Sequence, residues 1–178
     1  YMATLYESER KLGNLMFTPE WMDDLGIGIR TLHKDAMIND LNYEPVLFTT
    51  EDLIGTLFSN KPLFSINLFN RKVRMRDDAL PMLTLTKGNQ MNGASMILHK
   101  SIRKKIGDIV GGNFYVLPSS IHEVMIIPEE GFEAGELSEL VFTCNSKLYT
   151  EANSKDILSD KVQWCSMDGE ILRRAENE

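Results

Sequence analysis

Ser119, Ser120, His122 and Glu123 stand together in the run Leu-Pro-Ser-Ser-Ile-His-Glu-Val. They are the residue types of a nucleophile, a general base and an orienting carboxylate. Their adjacency works against that chemistry. The strand read from Glu123 to Ile127 sends neighbouring side chains to opposite faces, so His122 and Glu123 diverge. No Gly-x-Ser-x-Gly elbow presents either serine. The favoured reading is a Pro-Ser-Ser turn whose hydroxyls satisfy local backbone groups. The four residues are kept as the candidate site of a hydrolase or other small-molecule enzyme.

Lys72, Arg74 and Arg76 alternate in Lys-Val-Arg-Met-Arg and share one face of an extended segment, where they could contact an anion such as a phosphate. Asp77 and Asp78 follow at once and offset the field. An edge strand protected by charge explains the same pattern. The histidines, His33, His99 and His122, lie far apart without zinc-site spacing, so no metal is expected. Gly26-Ile27-Gly28 lacks the third glycine of a dinucleotide loop. Gly111-Gly112 follows its helix and would present carbonyls rather than amide donors. No cofactor is expected. Cys144, on a helical apolar stripe, and Cys165, beside Trp164, read as packing residues of a reducing compartment.

The elements that must position these residues come from a chain of 178 residues, 43% hydrophobic and 25% charged, with a formal charge of -7. That is room for one domain with a real core, or for two small lobes. The acidic balance argues against nucleic-acid binding and against anionic membranes. No apolar run approaches the roughly 18 residues of a membrane span, and no signal peptide is visible. A soluble cytoplasmic protein is expected, opening at Tyr1 as a fragment or trimmed chain would.

Residues 1–11 read as the end of a helix, and Leu12 to Thr18 as a strand. Pro19 reads as a turn into an acidic segment. Leu25, Ile29, Leu32 and Ala36 then fall on one helical stripe. Val46 to Phe48 is a short strand, and Thr50-Glu51-Asp52 opens a helix. Phe64 to Phe69 reads as a strand, with Lys72 to Arg76 as its continuation or hairpin partner. Met82 to Thr86 and Gly93 to Leu98 are strands around the turn Lys87-Gly88-Asn89. Ser101 caps a helix with Ile102, Ile106, Ile109 and Val110 inward and Arg103, Lys104 and Lys105 toward water; Gly111-Gly112 ends it. Phe114 to Leu117 is the strand before the serine turn. A helix over 134–149 and a hairpin around Met167-Asp168-Gly169 complete the chain.

The run Asn92-Gly93-Ala94, the segment Leu117 to Val124 and the downstream Leu158-Ser159-Asp160 resemble an uncharacterised bacterial domain family, found mainly in Gram-positive anaerobes. The likeness spans roughly Met82 to Leu172 and reaches back more weakly through Trp21 and the Leu32, Ala36, Asn39 spacing. Where that family has Tyr-Pro, this chain has His99-Lys100. The resemblance implies a shared fold and a bacterial origin; it brings no catalytic residues with it.

The fold expected is α+β: an antiparallel-rich sheet with helices on one side, ordered ββαββα plus a C-terminal hairpin. Residues 81–178 form that domain, and residues 1–80 a less regular mixed lobe. The function expected is non-catalytic, binding or assembly with another protein, with the enzyme at Ser119–Glu123 as the alternative.

Overall fold

The computed structural model describes residues 2–8, 11–49, 51–52, 63–70, 82–118, 120–148 and 156–175. The chain forms two compact units, Tyr1–Asn42 and Tyr43–Glu178. The boundary expected at 80–81 falls on residues outside those described.

The first unit opens with an antiparallel pair, β1 (Met2–Ser8) and β2 (Lys11–Met16), with Met2 opposite Met16. The helix end expected over 1–11 is therefore a strand: residues 11–16 supply a cross-strand partner for its backbone groups. Pro19, expected in a turn, instead opens α1 (Pro19–Asp24). The Thr18 hydroxyl accepts from the Trp21 N–H, and proline's fixed φ suits the first helical turn. The stripe through Ile29, Leu32 and Ala36 does form a helix, α2 (Ile29–Asp40). Neither helix fully buries a side chain, and Leu25, Ile29, Ile38 and Leu41 are exposed.

The second unit is built on a six-stranded sheet of β3 (Pro45–Thr49), β4 (Leu83–Lys87), β5 (Phe114–Leu117), β6 (Val124–Pro128), β7 (Gln163–Cys165) and β8 (Leu172–Arg174). The order across it is β3-β4-β6-β5-β7-β8, and every pairing is antiparallel. The α+β class and the antiparallel sheet read from the sequence are what the structure has, but the helices, expected on one side, cover both faces, because alternate strand residues are apolar on both. Strand alternation feeds two cores. On one face Leu83, Leu85, Phe114, Val116 and Ile126 meet Ile102, Ile106 and Ile109 of α3 (Lys100–Val110). On the other, Tyr115, Leu117 and Ile127 meet Ala134, Leu137 and Val141 of α4 (Ala134–Leu148). Among the described residues, no helix is long and apolar enough to cross a membrane.

Two expected strands are 3-10 helices. Over 64–69 the chain makes 3-10 turns, Leu63–Ile66 and Leu68–Asn70, because Asn67 between them turns inward to serve β3. Its Oδ1 accepts from the N–H groups of Leu47 (3.1 Å) and Phe69 (3.2 Å), and its Nδ2 donates to the Pro45 carbonyl (2.9 Å). A side-chain amide here takes the place of a neighbouring strand. The segment Gly93–Leu98 is also 3-10. Asn92 sits in the left-handed region, φ 52°, and the Gly93 and Ala94 N–H groups donate to the carbonyls of His122 and Ile121. A Cβ on Gly93 would lie within 2.6 Å of Lys87 N, the Thr86 hydroxyl and the His122 carbonyl, so only glycine fits.

α3 begins one residue before its expected cap, with His99 at the N-cap and Gly111 (φ 83°) closing it. Arg103 does not point to water. It is buried, its Nε donating to the Gly169 carbonyl (2.8 Å) and its Nη1 to the carbonyls of Ile97 (3.0 Å) and Leu98 (2.8 Å). Three carbonyl partners meet the guanidinium's need for acceptors in place of solvent.

Candidate functional site

The serine turn lies where β5 gives way to β6. Ser120 is buried and its Oγ accepts from the His122 N–H (3.0 Å), an interaction of the turn with itself. It also bridges to Ile157, while the Ile121 N–H donates to the Asp156 carbonyl and the Ser159 N–H to that of Pro118. His122 is the knot of this junction. Its carbonyl accepts from the Gly93 N–H (2.9 Å) and the Thr86 hydroxyl (2.8 Å). Its Nδ1 accepts from the Asn92 N–H (3.2 Å), which places the imidazole proton on Nε2. That Nε2 faces an Asp156 carboxylate oxygen at 3.9 Å, with the two side chains 27% and 43% exposed.

The fold thus brings His122 a carboxylate that sequence order hides, since Asp156 lies outside the serine run. In a nucleophile–base pair one imidazole nitrogen holds the carboxylate and the other takes the hydroxyl proton. Here that second nitrogen already accepts from Asn92, and the Ser120 oxygen is occupied by the backbone of its own turn. Glu123 is exposed, and Ser119 lies outside the described residues, as do Lys72, Arg74 and Arg76. Among the described residues, no group of His, Cys, Asp and Glu converges as a metal site. Cys165, the last residue of β7, is fully buried, and burial pushes its thiol from 9.0 up to about 11, so it stays protonated and weakly nucleophilic at neutral pH.

A family model described as "Family of unknown function (DUF5688)" matches residues 1–165. The chain belongs to this family. No curated protein and no solved structure matches this DUF5688 chain. The match takes in the first unit as well as the second. The three motif segments quoted above, 92–94, 117–124 and 158–160, are far apart in the DUF5688 sequence yet join at the one His122 junction. Their shared task in this structure is to fasten the ends of β4, β5 and β6 to the loop before β7.

Two open surfaces of this DUF5688 chain lie on the α4 side of the sheet. A cleft of about 920 Å³ opens between the start of α4 and β7–β8, with Tyr115, Phe132 and Trp164 in its lining. A neighbouring groove of about 820 Å³ runs past Phe142, Asp160, Lys161 and Arg174. Trp164 is fixed by its Nε1–H, which donates to Glu129 (2.7 Å), and Arg173 stacks 4.9 Å above its ring. The other Glu129 oxygen accepts from the Asn113 Nδ2, and the Asn113 Oδ1 accepts from the Met167 N–H at the hairpin tip. Sequence reading named Trp164 only as a neighbour of Cys165. Its pairing with Arg173 was legible in principle from the Asp168-Gly169 turn, which sets the β7–β8 register.

Proposed function

We propose that this chain is a protein-binding module that takes an extended segment of its partner along the β8 edge. The observation behind this reading is the state of that edge. The Ala175 N–H donates to the Val162 carbonyl and the Ser166 N–H to that of Ile171. Antiparallel alternation then assigns the inward bonds of β8 to Arg173, opposite Trp164, and turns the backbone groups of Leu172 and Arg174 outward. Among the described residues no strand lies outside β8. An unpaired edge is a template for strand addition, in which main-chain bonds supply affinity and flanking pockets select side chains. The cleft and the groove beside α4 are suitable flanking pockets.

Arg174→Pro tests this reading. It removes an outward N–H while leaving the ladder to β7 whole, and an edge strand tolerates proline at such a position. Extended peptides selected from a displayed library on the native chain should lose about tenfold or more in affinity for Arg174→Pro, through the lost bond and the ring's bulk, and none for Arg30→Ala. Binders that bind Arg174→Pro as well as the native chain, at equal thermal stability, would remove the β8 edge from the reading.

A further inference from the structure

We infer that the segment received at β8 is basic, with lysine or arginine at alternate positions on the α4 side; this rests on the strand-addition reading above. The argument is charge complementarity within the cleft. Its charged lining is Glu129, Glu133, Glu136, Glu139 and Arg173. Glu129 is committed through both oxygens, to Trp164 and to Asn113. Arg173 is committed to the Trp164 ring. Glu133, Glu136 and Glu139 are exposed on the approach to and first turns of α4, with no ion pair among the described residues. Against the one cation of that lining, Arg173, stand four carboxylates, so the cleft is net negative, while Lys161 and Arg174 flank Glu139 in the neighbouring groove.

Strand geometry converts that into a pattern. A strand added to β8 sends every second side chain to the α4 side of the sheet, the side on which Trp164 and Arg173 lie. Residues on that side reach the glutamates with their charged ends and cover Phe132 and Trp164 with their aliphatic stems, as long basic side chains do. The side chains between them face the α3 side, where Leu172 packs on the core and an apolar residue continues it. The received segment is then an alternation of basic and aliphatic residues. An acidic segment meets like charge at Glu133, Glu136 and Glu139 and one opposite charge, Arg173.

The probes are two synthetic peptides, one alternating lysine and valine and one alternating glutamate and valine, measured by fluorescence anisotropy on the full chain. The lysine peptide should bind, and the combined variant Glu133→Gln, Glu136→Gln, Glu139→Gln should weaken it about tenfold, the sum expected of three exposed ion pairs. The combined variant Asp23→Asn, Asp24→Asn, Asp35→Asn removes the same charge from the first unit and should leave affinity within about twofold, which excludes a general effect of net charge. Equal binding of the glutamate peptide, or indifference to the α4 substitutions, overturns the basic pattern; if Arg174→Pro still abolishes binding, strand addition survives that result. Lysine-peptide binding that Arg174→Pro leaves intact overturns strand addition itself, and with it this inference.

Discussion

β3 and β8 close the same sheet at its two ends, and each turns the backbone groups of alternate residues outward. On β3 two of those groups are met by one side chain. Pro45 brings no N–H to the edge, its carbonyl accepts from Asn67, and the Leu47 N–H donates to the same side chain, which is 1% exposed. On β8 the equivalent positions are Leu172 and Arg174, and the described contact to them is the Arg173 guanidinium on the Arg174 carbonyl at 3.3 Å. The difference is one of packing. Among the described residues, no side chain does for β8 what Asn67 does for β3.

β8 owes its place to its inner neighbours. Its hairpin tip is pressed onto α3 so closely that a Cβ on Gly107 would lie 2.0 Å from the Met167 carbonyl oxygen. Arg103 holds Gly169 from the same helix, and Lys100 pairs with Glu170. Gly107→Ala should therefore be the most damaging change at either edge. Backbone cannot yield as a flexible side chain can, and the loss should reach at least about 3 kcal/mol in urea unfolding. A loss below about 1 kcal/mol would mean that the tip can swing away freely, and that β8 is not held as described.

Asn67→Ala attacks the sealed edge directly. It strands the Leu47 and Phe69 N–H groups and the Pro45 carbonyl, and should cost about 2 kcal/mol. Arg174→Ala, the matching change on the open edge, should stay within about 0.5 kcal/mol, because that side chain is exposed. Equal costs at the two positions would erase the contrast between the edges.

The parts of this architecture legible in the sequence are those fixed by local pattern. The isoleucines of α3, the glycine that ends it, and the Asp168-Gly169 turn each carry their signal within a few residues. Arg103 and Asn67 carried none. A basic residue on a helix and an asparagine in an apolar run read as solvated and as neutral, and only the carbonyls of Gly169 and Pro45, distant in sequence, decide otherwise. The serine run shows the same limit. Its letters name His122, while the partners that define its role, Asn92 and Asp156, come from 30 or more positions away in the chain.

The smallest effect expected concerns the hairpin tip that steadies the open edge. Asp168 is exposed, but its carboxylate accepts from the Ser166 hydroxyl (2.6 Å) and the Glu170 N–H (3.0 Å), and these bonds hold its pKa below the ordinary 3.8. A depressed folded-state value stabilises the fold above the unfolded value, and that contribution is lost as pH falls through the folded one. The native chain should accordingly lose stability on acidification below about pH 4 more steeply than Asp168→Asn, which has no proton to take up there. Above that range the two curves should run parallel, offset only by the weaker bonds of the neutral amide. If the slopes coincide below pH 4, the turn bonds persist in the unfolded chain or never formed, and the tip is then held by Gly107, Arg103 and Gly169 alone.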